Sequence, residues 1–546
     1  MTEIAAPAAS GSVWAPLRRP VFRNRLIASI ISNTGSWMQD TAGAWLMTSL
    51  TSSSLLIALM QTAASLPVLL MGLLAGATAD VLDRRRLLLV WSGWMLAAAV
   101  VLSVLTLWGW IGPLTLLLLT FLLSTGSAMN GPTWQAIVPE LVSREELSEA
   151  IALNSAGFNL ARAVGPAAGG LTIAAFASAS RGAGIVFLIN ALSFVAVLFV
   201  IYRWKRTPLF TSALPAERLV ASMRSGLRYT RFAPELRAIL VRAFLQTFCV
   251  SGMWALLAVV AKAELRNGAM GYGILTGCIG VGAVVGAMLV PALRKRFSSD
   301  SIVTGAALAF TVTLLVMGWA HGFWPLAAAL VLGGMAWTST TSCLNIAVQL
   351  SVPAWVQARS LGIYQMVFQG GMAIGSAVWG ALAEHTSTSL ALSAGAAGLL
   401  LGLPLARRFP LMAGATPDLS PGRLAHALSR SVPQVMIETR PEEGPVLITI
   451  TFQIDPARAE EFTHAAHAMG RVRRRDGAIR WSLFRDPVHP GRSMESYVLE
   501  SWLERERQIE RFTVADHAIR NRLMGYHIGE NPPDVSRMIL ARPREQ

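Results

Sequence analysis

Twelve long apolar runs dominate this chain and leave it few ways to fold. They fall near residues 25–50, 55–79, 87–110, 114–138, 150–177 and 184–202, then 236–261, 269–293, 301–320, 324–350, 360–383 and 390–408. Each is close to the ~20 residues that a helix needs to cross a hydrocarbon core. Backbone polar groups in lipid must pair within their own segment, so runs of this length read as helices. Charged residues make up only 14% of the chain, against roughly 25% in an average soluble domain. A water-soluble globular enzyme is excluded. The first run follows Arg18, Arg19, Arg23 and Arg25 with no small-residue cleavage site after it, so it is expected to be a retained span rather than a signal peptide.

The loop charges set an orientation. One set of loop faces holds 22 Lys and Arg residues and the opposite set holds three, Arg181, Lys262 and Arg266. Both termini are therefore expected on the cytoplasmic side. The formal net charge of +15 belongs almost wholly to residues 1–410, which carry 27 basic and 13 acidic residues, whereas residues 411–546 carry 19 and 18. Because the basic residues lie between apolar runs and form no aromatic-laced basic face, nucleic acid is not an expected partner. Cys249, Cys278 and Cys343 all fall inside apolar runs and read as packing residues.

The two sets of six runs repeat each other. Gly76-Ala77 and Arg84-Arg85-Arg86 recur as Gly286-Ala287 and Arg294-Lys295-Arg296. Gly165 and Gly170 recur as Gly375 and Gly380, and Phe22 and Leu26 as Phe232 and Leu236, all at an offset of 210 residues. Two parallel six-helix repeats predict a secondary transporter whose substrate site lies between the halves near the midplane. The three lysines, Lys205, Lys262 and Lys295, do not sit in a Gly-Lys-Ser/Thr loop, so an ion gradient is the expected drive.

Polar residues inside such runs mark function by default. Asp40 extends a stripe of Asn33, Ser36 and Trp37 at helical spacing in the first run. It is a candidate for proton coupling or substrate contact. Arg162 falls near the middle of the fifth run with Ser155 and Asn159 on one face, and is expected to pair with Asp40 or with an anionic substrate. Gln246, Gln365 and Gln369 are candidate cavity amides. Arg242, Lys262, Glu264 and Glu384 lie near run ends and are expected to snorkel. Asp80 follows the second run, where a carboxylate can face a helix N-terminus, worth up to ~1–2 kcal/mol. Arg84, Arg85 and Arg86 beside it are expected to combine positive-inside anchoring with a gate-locking role. None of the 17 tryptophans is singled out as part of a binding site.

These residues carry a family resemblance. Gly76, Ala79, Asp80, Arg84 and Arg85 match the loop signature G-x-L-A-D-R-x-G-R-R of the major facilitator superfamily, with Thr78, Val81 and Asp83 departing from it. Gly165, Pro166, Gly169 and Gly170 resemble the fifth-helix motif of the superfamily's antiporters. The runs Pro132–Ala136 and Val138–Val142, with Ala152-Leu153-Asn154 and Asn159–Arg162, resemble the bacterial transmembrane secretion effectors, which include enterobactin-exporter-like proteins. Over residues 15–410 the resemblance implies export of a small organic molecule, with protons as the counter-substrate and membrane lipid as the surroundings. It also implies that Asp80 faces the start of the eleventh span, near Ser360, and it adds weight to Arg162.

The remainder is expected to be a separate module. A linker over 411–445 precedes strand 446–454, helix 456–474, strands 479–485 and 496–502, helix 504–524 and strand 535–540. The order β-α-β-β-α-β is that of a ferredoxin-like fold. The composition resembles the dimeric α/β-barrel modules related to antibiotic-biosynthesis monooxygenases, which implies a homodimer through this domain. His464 and His467 are three apart on a helix, but no carboxylate or cysteine spacing completes a metal site, and no cofactor is expected. The fold class is thus an all-α membrane protein of twelve transmembrane helices in two parallel repeats, plus a small α+β cytoplasmic domain. Its parts are an arm (1–22), two bundles (23–205 and 236–410), a cytoplasmic connection (206–235), the linker and the module (446–546). Two other readings remain open: fusion to a small monooxygenase-like or ligand-sensing domain, and a solute importer.

Overall fold

The computed structural model describes residues 14–143, 146–204, 219–264, 268–411, 418–420 and 440–541. Residues 1–13 of the arm, most of the linker, and Arg144, Lys205 and Arg266 lie outside the described residues, as do the side chains of Asp80 and Glu264. The chain divides into two compact units.

The first unit comprises residues 1–219, 240–345 and 362–410 and holds the apolar helices. In its amino-terminal half these are α1 (Pro20–Leu50), α2 (Ser54–Val81), α3 (Arg84–Leu107), α4 (Pro113–Ala136), the single turn α5 (Val138–Leu141), α6 (Leu147–Ala174) and α7 (Ala179–Arg203). The short α8 (Leu219–Phe232) leads to α9 (Pro234–Glu264), α10 (Gly268–Arg296), α11 (Ser299–Trp319), α12 (Phe323–Ser351), α13 (Ala354–His385) and α14 (Thr388–Arg408). Local chemistry sets the starts. Ser53, Asp83, Ser178 and Ser298 each accept the orphan N–H three residues on, and proline opens α1 and α4, where its missing N–H costs nothing.

Among the described residues, nine helices are long and apolar enough to cross a membrane: α2, α3, α4, α7 and α9–α13. The expected count of twelve exceeds this by α1, α6 and α14. The apolar part of α14, Thr388–Pro404, is short. The helices α1 and α6 run for 31 and 28 residues and carry Asp40 and Arg162, so their polar residues, not their length, lower their apolarity.

The repeat seen in the sequence is also a repeat of contacts. A Cβ on Gly165 or Gly169 would collide with the α1 backbone at Thr34–Met38, and a Cβ on Gly371 or Gly375 would collide with α9 at Phe244–Phe248. These positions differ by about 210 on both sides of each contact. The halves meet through two repeat-related pairs, α6 with α10 and α13 with α2. In the first, Gly170 faces Ala269 and Gly273; in the second, Gly380 faces Ala58. Both contacts lie near the helix ends remote from Arg84–Arg86. There Lys262 also donates to the Thr48 carbonyl, and the Leu55 N–H donates to Glu384 at 3.3 Å. Lys262 and Glu384, both exposed near helix ends, thus also tie the two halves together.

The second unit comprises residues 220–239, 346–361 and 411–546. Its sheet holds β1 (Val446–Gln453), β2 (Arg480–Arg485), β3 (Arg492–Leu499) and β4 (Asp534–Ile539) in the order β2-β3-β1-β4, every neighbour antiparallel. With α15 (Ala459–Asp476), α16 (Trp502–Arg511) and α17 (Val514–Met524) the order is the expected β-α-β-β-α-β. Val446, Ile448, Ile450 and Phe452 alternate inward from β1 and pack on Phe462, Ala466 and Met469 of α15. Strand β3 begins at Arg492, four residues early, and the single helix expected over 504–524 is two. The break lies at Thr513, whose side chain and that of Asp516 form a reciprocal capping box starting α17.

Candidate transport site

The contacts of α1 leave one sector of that helix free. It meets α6 through Thr34, Trp37 and Met38, α7 through Gly35 and Gln39, and α2 through Gly43. At 100° per residue, Asn33, Ser36, Asp40 and one edge of Trp37 fall in the remaining sector. Asp40 is exposed there, while Met38 and Gln39 beside it are buried. The side chain lies within electrostatic reach of Tyr272 on α10, whose ring stacks on Trp45 with centroids 5.7 Å apart. Asp40 is twenty residues into α1 and ten from its far end.

Arg162 lies in the middle of α6 and is ringed by aromatic faces. Its guanidinium carbon is 5.6 Å from the ring centre of Trp37, 5.9 Å from Trp254 on α9 and 6.0 Å from Trp337 on α12. Trp254 and Trp337 meet edge to face at 5.6 Å, and Phe368 of α13 packs on Trp337 at 5.3 Å. A cation over a desolvated indole gains ~1–2 kcal/mol per face. Nε of Arg162 and Nε1 of Trp254 are buried with no hydrogen-bond partner among the described residues. Such donors carry a desolvation cost of ~1–3 kcal/mol each until a ligand or water meets them. Together they form a site for an acceptor group flanked by rings.

The expected ion pair between Arg162 and Asp40 is not formed. Among the described residues no carboxylate oxygen lies within 4.0 Å of Arg162. The register explains it: Gly165 packs against Trp37 and Gly169 against Met38, so the helices run parallel and Arg162 sits about nine residues (~14 Å) from the level of Asp40. Trp37, Trp254 and Trp337, none of them expected in a binding site, supply the contacts instead. Their pattern was readable only as three separate residues in three runs.

The amides divide. The Asn33 amide donates to Ser29 Oγ at 3.2 Å and that of Asn159 to the Ser155 carbonyl at 3.0 Å, each within its own helix. Gln246 donates to Thr340 Oγ1 at 2.9 Å, a buried bond joining α9 to α12. Gln369 is half-buried and Gln365 exposed, one turn apart on α13. A buried bond from Asn190 Nδ2 to Gln39 Oε1 at 2.7 Å locks α7 to α1; the sequence reading missed it. Arg242, expected to snorkel, is buried and ion-paired with Asp300.

The loop and antiporter-type motifs do structural work. Arg85 donates to the carbonyls of Ile201 (3.3 Å) and Tyr202 (2.5 Å), closing the C-terminus of α7. Arg84 Nε reaches the Ala79 carbonyl at 3.4 Å. A Cβ on Gly76 would meet nothing within 4 Å. Gly165, Gly169 and Gly170 permit backbone approach on two sides of α6, and the helix runs unbroken through Pro166. In the second unit, His467 Nδ1 donates to the Thr463 carbonyl (2.9 Å) and the ring packs on Trp481. No His/Cys/Asp/Glu cluster among the described residues is arranged for a metal.

A family model described as transmembrane secretion effector matches residues 11–545. An MFS-type transporter of Bacillus subtilis, YfiS, is 27% identical over 71% of this chain and 94% of its own length. The multidrug efflux pump Tap of Mycolicibacterium fortuitum is 24% identical over 67% of this chain and 91% of its own. The staphyloferrin A transporter of Staphylococcus aureus is 22% identical over 62% and 84%. Among solved structures, a variant of the nucleoside transporter NupG superposes with a TM-score of 0.58 at 13% identity, covering 71% of this chain and all of that one. A bacterial homologue of the iron transporter ferroportin, inward-facing, gives 0.57 at 16% identity, over 71% and 98%.

Proposed function

Because the chain belongs to the transmembrane secretion effector family of major facilitator transporters, we propose that it exports small organic molecules across the bacterial inner membrane in exchange for protons. The observation that carries this reading is the Arg162 site: a cation between three indole rings contributed by both halves, with unpaired donors facing it. Such a site accepts a ring and an acceptor or acid group together. The relatives named as a multidrug pump and a siderophore transporter fit an export role.

Asp40 is the proton carrier in this scheme. It lies on the same free sector of α1 as Trp37, facing Tyr272 of the other half. Protonation there and substrate binding at Arg162 alternate as the halves rock. Contact between the halves near Gly170 and Gly380 closes the face away from Arg84–Arg86. By loop charge that face is periplasmic, both termini are cytoplasmic, and the structure corresponds to a cytoplasm-facing state. Gly76 lies one turn beyond Gly72, which packs on Met366, and provides room for α2 and α13 to close the opposite end. Asp80 completes the gate with Arg84.

The test is cellular retention of a panel of dyes, antibiotics and siderophores in an efflux-deficient host. Reduced retention of a compound, abolished by Asp40→Asn and by a protonophore, supports the reading. Increased accumulation dependent on the native chain establishes import and rejects it.

A further inference from the structure

A cationic cavity lies in the C-terminal domain, distinct from the transport site and independent of the transport reading. It occupies about 180 Å³ between the β1–β3–β4 face and helices α15, α16 and α17. Its apolar wall includes Ile448, Ile450, Phe452, Phe512 and Leu523. Arg473, Arg505, Arg520 and Arg537 also line it, against one carboxylate, Glu495.

The charges do not cancel. Glu495 is fully buried, and its Oε1 is already engaged by Trp481 Nε1 at 2.9 Å and Arg473 Nε at 3.4 Å. Arg505, Arg520 and Arg537 have no carboxylate within 4.0 Å among the described residues, although Arg505 is only 8% exposed. Arg505 lies within repulsive reach of Arg537, and Arg520 of Arg473. Buried charges are normally paired or hydrogen-bonded. Three uncompensated guanidiniums on an apolar cavity describe a site awaiting an anion with an apolar body.

We propose that this cavity binds a small ring-bearing carboxylate, its acid group held by Arg505, Arg520 and Arg537 and its ring packed on Ile448, Ile450 and Phe512. Size agrees, since an apolar cavity of ~150 Å³ accommodates benzene. Helix α16 couples the site to the rest of the unit. It presents Arg505, Gln508 and Ile509 to the cavity, while Glu504 pairs with Arg228 of α8 at 3.0 Å and Arg511 lies over Trp355 at 4.5 Å.

The experiment is calorimetric titration of benzoate into the full chain in lipid nanodiscs, carried out on Arg162→Gln protein so that the transport site does not contribute. Saturable binding is expected, at least ten-fold weaker after adding Arg520→Gln or Arg537→Gln, with neutral benzamide failing to compete. Both arginines are half-buried and without a carboxylate partner among the described residues, so glutamine there strands no such partner, and unchanged hydrogen exchange of β1 checks the fold. No saturable binding, equal competition by benzamide, or an affinity unchanged in both variants overturns the proposal.

Discussion

Gly170 of α6 and Gly273 of α10 lie so close that a Cβ on either would sit 2.8 Å from the other's Cα. No side chain fits between the helices at this level, and the contact joins the two halves of the transporter. Gly170→Val therefore separates α6 from α10, and overpacking of this kind costs ~1–3 kcal/mol. The expected result is a lowered unfolding temperature together with lost export. Gly76, whose Cβ would meet open space, provides the contrast. Gly76→Leu is expected to leave the unfolding temperature unchanged and to stop export, because the added bulk obstructs only the alternate closed state. Thermal unfolding and efflux measured side by side distinguish the two.

Arg162 and its rings give a second prediction. Trp254→Leu removes a ring face and a buried indole donor from the site while keeping an apolar side chain. Export of ring-bearing acids is expected to fall ~10-fold, in line with ~1–2 kcal/mol for a desolvated cation–π contact. Arg162→Lys is expected to restore less than half of the native rate, since an ammonium cannot stack on indole as a guanidinium does. Transport kinetics with one fluorescent acid and one neutral dye read both variants.

How much of this was legible in the sequence follows from the range of each signal. The spans, the 210-residue repeat and the β-α-β-β-α-β order depend on local apolar periodicity, which a single chain displays directly. Asp40 and Arg162 stood out because charge in an apolar run is rare. Their separation was not legible, because the α1–α6 register is set by Gly165 and Gly169 against Trp37 and Met38, a contact 130 residues apart in the chain. The cage of Trp37, Trp254 and Trp337 and the Asn190–Gln39 bond are likewise products of tertiary packing. So is the Arg242–Asp300 pair, whose buried arginine reads in sequence as an interfacial one.

A pH dependence is expected in the C-terminal domain. Burial first, and then Arg520, hold the His517 imidazole below its ordinary range, and its Nε2 is buried with no hydrogen-bond partner among the described residues. The folded state disfavours the proton that the unfolded chain accepts near pH 6.5. Stability is therefore present above that value and declines as the pH falls from it toward the depressed folded value. Hydrogen exchange of α17 amides, corrected for intrinsic rates, is expected to speed up between pH 7.5 and pH 5.5. His517→Gln, which cannot titrate, removes that acceleration.

The most direct measurement is substrate-induced proton release from energised inverted membrane vesicles, followed with a pH-gradient dye and a fluorescent organic acid exported by the native chain. In this orientation the account predicts that adding the acid partly collapses the gradient with the native protein. With Asp40→Asn it predicts no collapse, although the acid still binds at Arg162. A collapse of equal size with Asp40→Asn, or transport by the native chain with no change in the gradient, would contradict proton-coupled export through this site.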